Sequence, residues 1–317
     1  MLVLAILSVI GLVVLALAAD HLVIGAGRLA GRLGVQPVVV GVVVIGFGTS
    51  APELVVAATA AARGHTDLAA ASLVGSNIVN MTLILGVGGL TAALAVRSSI
   101  LRREAPLSLA AVTAFAVALT YGLGPVTGVL LTLAMVASVV MLLRFARADP
   151  RDALVAETTD HLGAAIRSRL VVEAARTIVG LGGTLLGAQL LVANVSELAI
   201  RAGVSSQVVG FTLVALGTSL PELVTSVQAQ RRGDGDLVIG NLLGSNLVNS
   251  LVGGAVVAFS SGGVPSAVAP ALVVAMVGIS GISWGLLARG SRLSRRESVL
   301  LLVLYGALLP LIVSAGP

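Results

Sequence analysis

The chain repeats itself. Displaced by 169 positions it lies over itself without a gap, and residues 41–80 match residues 210–249 at 19 of 40 positions. Gly48-Thr49-Ser50 recurs as Gly217-Thr218-Ser219, and Pro52-Glu53-Leu54-Val55 recurs as Pro221-Glu222-Leu223-Val224. Gly75-Ser76-Asn77 and Asn80 recur as Gly244-Ser245-Asn246 and Asn249, and weaker identity reaches back to Gly11 over Gly180. A fold for this chain must therefore be assembled from two related halves, residues 1–143 and 170–317, joined by a polar segment at 144–169.

Each half is a string of apolar runs of about 20 residues, the length that spans a bilayer as a helix. The chain is 57% hydrophobic and 10% charged, with a mean hydropathy of +1.09; a soluble domain carries roughly 25% charged residues. The alternating segments of about 10 residues that mark a membrane barrel are absent from the pattern. The expectation is an all-α polytopic membrane protein. Its spans are read at 2–26, 38–62, 68–96, 106–121 and 125–143 in the first half. In the second they are read at 170–199, 207–229, 237–260, 267–287 and 298–313. Ala16-Leu17-Ala18 imitates a signal-peptidase site, but no basic residue precedes it as a signal peptide requires, and the repeat pairs this segment with a later helix.

Five spans per half, an odd number, would invert the second copy relative to the first. The 19 basic residues are all arginine, and they test this. With both termini outside, 17 arginines fall on the cytoplasmic side and only Arg63 and Arg201 outside, as the positive-inside rule requires. Ten transmembrane helices in two inverted five-helix repeats follow, in a plasma membrane with extracellular termini. The net charge of +5 thus reports topology, not nucleic acid. No cysteine is present, which excludes disulfides and thiolate metal sites. Inverted repeats mark secondary transporters, with the site near the midplane.

Most of the fourteen acidic residues sit in loops or at span ends. Glu53 and Glu222 lie mid-span, where a carboxylate costs about 2.5–3.5 kcal/mol on insertion scales. Pro52 and Pro221 remove a backbone donor beside each glutamate, so carbonyls in 47–50 and 216–219 are expected to turn inward as further oxygen ligands. Thr49 and Ser50 share a helix face with Glu53, as Thr218 and Ser219 do with Glu222. In the next span Ser76 and Asn80 lie four apart on one face, as do Ser245 and Asn249. Together they make an anionic, all-oxygen set suited to hard cations such as calcium, which takes 6–8 oxygens. Small polar residues in membrane helices ordinarily serve close packing, and that is the reading for Ser72 and Thr59. A doubled Pro-Glu with a doubled Ser-x-x-x-Asn face is not explained by packing. Gly46-x-Gly48 lacks the setting and the lysine of a phosphate loop. Asp67 and Asp236 read as helix caps, and Asp20, whose twin is Gln189, as pairing with a polar neighbour, with a direct ligand role as the lesser alternative.

The doubled motifs Gly48-Thr49-Ser50-Ala51-Pro52-Glu53 with Gly75-Ser76-Asn77-Ile78-Val79-Asn80, and Gly217-Thr218-Ser219-Leu220-Pro221-Glu222 with Gly244-Ser245-Asn246-Leu247-Val248-Asn249, resemble the two alpha-repeats of the cation/calcium exchanger superfamily, nearest its prokaryotic sodium/calcium branch. The resemblance spans essentially the whole chain. It implies ten helices and an antiporter that exchanges calcium for sodium by alternating access, electrogenically and without a cofactor. Glu53 and Glu222 would bind calcium and also sodium. Thr49, Ser50, Thr218, Ser219, Ser76 and Ser245 would complete the sodium sites, with Asn80 and Asn249 near the centre. Its partners would be these ions and the lipid bilayer, with no nucleic acid and no obligatory protein partner. Some relatives carry an aspartate where Asn249 stands, and potassium-dependent members rely on an acid there, so Asn249 argues against a potassium requirement. Proton/calcium exchange on the same scaffold and a cation channel are the rival readings; an enzyme is not expected, since no nucleophile–base pair is visible.

Overall fold

The computed structural model describes residues 2–33, 41–91, 94–96, 98–147, 169–203 and 215–314. Its principal helices are α1 (Leu2–Leu33), α2 (Ala51–Ala62), α3 (Thr66–Thr91), α4 (Ser98–Tyr121), α5 (Pro125–Arg147), α6 (Leu170–Arg201), α7 (Leu220–Arg231), α8 (Gly235–Phe259), α9 (Pro270–Gly290) and α10 (Arg295–Ser314). Among the described residues seven of them, α1, α3, α4, α5, α6, α8 and α9, are long and apolar enough to cross a membrane.

The second and seventh spans are not continuous helices. A π-helical turn, Gly41–Gly46, runs into Phe47–Thr49, the helix is interrupted at Ser50, and α2 restarts with Pro52 in its first turn. Ala215–Thr218, Ser219 and α7 repeat the arrangement, with Pro221 in the first turn. Proline tolerates that place because its missing N–H would have had no helical partner there. The outer parts of these two spans, at 38–40 and 207–214, lie outside the described residues, as do 148–168 of the linker. Three expectations need correction. Helix α4 begins at Ser98, so that Pro106 lies inside it. The caps of α3 and α8 are His65 and Asp234, not Asp67 and Asp236. Asp67 instead accepts from Ser266 Oγ at 2.9 Å and from the Ala267 N–H at 2.8 Å, tying α3 to the chain before α9.

Contacts recur at positions 169 apart. The two-residue strands β1 (Leu94–Ala95) and β2 (Arg292–Leu293) pair Ala95 with Arg292, and an isolated bridge pairs Leu123 with Val264; the shift carries one pair onto the other. Helices α1 and α6, each of 32 residues, lie antiparallel along one another, and a Cβ added at Gly11 would stand 2.6 Å from the Leu191 nitrogen. Its counterpart at Gly180 would stand 2.5 Å from the Leu22 nitrogen. Small residues let membrane helices approach backbone to backbone. Val9, Leu12, Val13 and Leu17 are exposed on the opposite face of α1, where lipid would lie.

This closeness makes a prediction whose sign is informative. At Gly187 a Cβ would meet the Leu15 nitrogen at 2.5 Å and its Cα at 2.8 Å, backbone atoms that cannot turn aside. Gly187→Ala gains about 1 kcal/mol of helix propensity but overpacks by about 1–3 kcal/mol, so its thermal midpoint should fall. Gly182→Ala, with nothing within 4 Å of the added carbon, should hold or raise it. A Gly187→Ala protein as stable as Gly182→Ala would mean that α1 and α6 are free to move apart.

Helices α3 and α8 form the interior, and each carries a π-helical turn just past its Ser-x-x-x-Asn segment, Asn80–Ile84 and Asn249–Gly253. Helix α8 lies against the Gly41–Gly46 turn so tightly that a Cβ at Gly46 would come within 2.9 Å of Gly244, and one at Gly244 within 2.6 Å of Val42 Cα. This approach brings the two broken segments and the two interior helices to one point.

Candidate cation site

The breaks at Ser50 and Ser219 aim α2 and α7 into the interior, and Glu53 and Glu222, one residue after the prolines, are 2% and 1% exposed. Each glutamate is held by a serine of the other half. Ser219 Oγ donates to Glu53 Oε1 at 2.9 Å, and Ser50 Oγ donates to Glu222 Oε1 at 3.1 Å. The serine of its own half adds a longer bond, Ser76 to Glu53 Oε1 at 3.5 Å and Ser245 to Glu222 Oε1 at 3.4 Å. Ser245 Oγ also lies 3.4 Å from the Gly46 carbonyl, and Ser76 Oγ lies 3.4 Å from Ser219 Oγ.

The amides complete the cluster. Asn80 Nδ2 donates to Asn246 Oδ1 at 2.9 Å, and Asn249 Nδ2 donates to Ser76 Oγ at 3.1 Å. In both cases the donor half of the amide is engaged and the acceptor half is bare. Glu53 Oε2, Glu222 Oε2, Asn80 Oδ1 and Asn249 Oδ1 are all buried without a hydrogen-bond partner. They form two pairs related by the same 169-residue shift. A buried acceptor left unsatisfied costs about 1–3 kcal/mol, and more if charged. Four of them, at positions related by the repeat, could serve as acceptors for a cation that brings no hydrogens. Their chemistry is all oxygen, with two carboxylates, so it fits a hard ion. Among the described residues no group of three or more histidine, cysteine, aspartate or glutamate side chains forms a metal cluster.

Thr49 is fully buried at the end of its short helix, its hydroxyl 2.9 Å from the Ile45 carbonyl and 3.2 Å from Asn241 Oδ1. Thr218 is half-buried at the end of Ala215–Thr218. The carbonyls of Ser50 and Ser219 are not freed as the sequence suggested. They accept from the Leu54 and Leu223 N–H groups, both at 3.1 Å, because α2 and α7 restart immediately after the break.

Three asparagines escaped sequence reasoning. Asn246 receives Asn80, and its twin Asn77 donates to Ser250 Oγ at 2.9 Å. The doubled Gly-Ser-Asn was the available signal. Asn241 carried none, since its twin is Ser72. It is 2% exposed and its Nδ2 lies 3.1–3.3 Å from Thr225 Oγ1, Ser226 Oγ and the Glu222 carbonyl, so that it holds Thr49 and the Glu222 backbone together.

The family model described as "Sodium/calcium exchanger protein" matches residues 3–144 and 173–313. The sodium/calcium exchanger MaX1 of Methanosarcina acetivorans is 27% identical over 345 residues, 95% of each chain. The inner membrane protein YrbG of Escherichia coli is 33% identical over 251 residues, 78% of this chain and 76% of that one. Among solved structures, the sodium-calcium exchanger NCX_Mj soaked with sodium and strontium superposes with a TM-score of 0.85 at 28% identity, covering 98% of both chains.

Proposed function

Because this chain belongs to the sodium/calcium exchanger family, we propose that it is a secondary antiporter exchanging calcium for sodium at the site built around Glu53 and Glu222. The observation that carries this is the split use of each side chain. One oxygen of each glutamate is fixed by the other half's serine, and the second, like the side-chain oxygens of Asn80 and Asn249, is buried without a hydrogen-bond partner. Two carboxylates balance one calcium ion. Thr49, Ser50, Ser76, Asn80 and their twins Thr218, Ser219, Ser245 and Asn249 supply the neutral oxygens among which sodium ions share the same charges instead. The two species compete for one set of atoms, which is what couples their movement.

The architecture we propose for this task is ten spans in two inverted halves, 1–143 and 170–317, with a cytoplasmic linker at 144–169 and both termini outside a plasma membrane. The contacts repeated at 169-residue intervals and the one-sided arginines support it. Helices α1 and α6, tightly packed on each other, would slide as a pair past the helices that hold the site and expose it to each side in turn. An empty anionic site should resist that move, since two unneutralised carboxylates would be carried through the low-dielectric interior.

The test is calcium flux in proteoliposomes under imposed gradients. A sodium gradient should drive calcium, and replacing all potassium by choline should leave the flux within about two-fold, because Asn249 is neutral at any pH and among the described residues no third carboxylate joins the pair. A pH gradient driving calcium without sodium would establish proton exchange instead, and flux indifferent to every counter-ion would establish a channel.

A further inference from the structure

Asp20 is the only acidic residue of α1, and it takes no part in the site. Its Oδ1 accepts from Arg232 Nε at 3.0 Å and from Nη2 of the same guanidinium. Arg232 is the C-cap of α7, the helix that carries Glu222. One turn back along both helices, Gln228 Nε2 donates to the Ala16 carbonyl at 3.3 Å. At this mouth, therefore, the α1/α6 pair is fastened to a site-bearing helix.

The 169-residue shift shows what the other mouth would need. The same contact there would join Gln189 of α6 to Arg63 at the end of α2. The arginine is retained in both halves and the carboxylate is not. In the structure that face is uncovered: Thr59, Arg63 and Gln189 are exposed, and Val55 is 63% exposed where its twin Val224 is half-buried. The contact is thus made in one half only, and it is the half that has the carboxylate.

We propose that Asp20–Arg232 is a one-sided latch, which holds α1 against α7 and favours the conformer closed at the Arg232 end of α7, while Gln189 leaves the opposite conformer without an equivalent. The inference rests on the alternating exposure proposed above. Both side chains are about one-third exposed, so the bias should be modest, about two- to five-fold in the ratio of the conformers.

The chain contains no cysteine, so a single introduced thiol reports cleanly. In lipid nanodiscs, Gln228→Cys sits under α1, and its modification by a water-soluble maleimide should measure the conformer open at that mouth. Asp20→Asn in this background should raise the rate about two- to five-fold, and Asp20→Arg combined with Arg232→Asp should return it to the parent value. Gln189→Asp, which leaves Asp20 and Arg232 untouched, should also raise it by offering Arg63 a partner at the far mouth. Adding Arg63→Gln should cancel that gain. With Thr59→Cys as reporter, Gln189→Asp should slow labelling instead. A Gln228→Cys rate that responds to calcium and sodium but ignores Asp20→Asn or Gln189→Asp overturns the latch alone. A rate blind to ions and variants alike overturns the alternating exposure, and the latch with it.

Discussion

Replacing Glu53 or Glu222 by glutamine should abolish calcium transport while leaving a folded protein. Glutamine keeps the size of the side chain, and its carbonyl oxygen can still accept from Ser219 and Ser76, or from Ser50 and Ser245. What it removes is half the negative charge opposing a divalent ion. Deleting one partner of a buried charge pair costs about 3–5 kcal/mol, which is about a hundred- to several-thousand-fold in binding. Stability should move the other way when no ion is present, because a buried carboxylate oxygen without a donor is itself destabilising. Wild-type protein should gain a higher thermal midpoint on adding calcium, about 2.7 kcal/mol at a hundred times the dissociation constant, and both variants should lose that gain. Uptake into vesicles and calcium-dependent thermal shifts check the two halves of the expectation. Near-normal uptake by either variant would remove these glutamates from the site.

The second large effect is electrical. If three sodium ions replace one calcium, as the resemblance to the exchanger family implies, one positive charge crosses per cycle. Moving it through 100 mV is worth about 2.3 kcal/mol, and a tenfold concentration ratio is worth about 1.4 kcal/mol. Each 100 mV, negative on the side that sodium enters, should therefore change the calcium ratio at the end-point about fifty-fold in favour of extrusion from that side. Sodium-driven calcium flux in proteoliposomes, clamped at several potentials with an ionophore that does not carry sodium, measures this directly. End-points that ignore the potential would mean two sodium ions per calcium. The double negative charge of the site would then be neutralised identically in both loaded forms.

Much of the molecule was legible before any coordinate, for reasons particular to its residues. In a bilayer every backbone polar group must be satisfied within the chain, so long apolar runs read directly as helices. The duplication then separated Glu53 and Glu222 from the other acids, because chance does not place Pro-Glu and Ser-x-x-x-Asn at the same offsets twice. Periodicity alone put Ser76 with Asn80 and Ser245 with Asn249, and all four are buried. The resemblance to the exchanger family rested on those same residues, and the match to the family model then established the membership. Reading failed where the outcome depended on how the chain continued beyond the local motif, whether a few residues on or in a distant segment. Pro106 looked like a helix start, but helix α4 runs through it. Asp67 looked like a cap, yet its partners are Ser266 and Ala267, some 200 residues away. The carbonyls of Ser50 and Ser219 looked free because the restart of the next helix was not visible.

What the sequence determined by itself, then, was which side chains carry charge and oxygen, and on which helical face they lie. These follow from local geometry, the 3.6-residue turn and the transfer energy of each residue. Only the tertiary structure decided that Ser219 serves Glu53 while Ser50 serves Glu222, that Asn241 stands behind Thr49, and that Asp20 finds Arg232. Those pairings are set by how two related halves interlock. Two halves carrying the same motif have two symmetric ways to match serine with glutamate, within a half or across, and nothing in the motif distinguishes them. The close backbone contact of Gly46 with Gly244, which depends on packing over the whole chain, brings the halves together so that the shorter bonds run across.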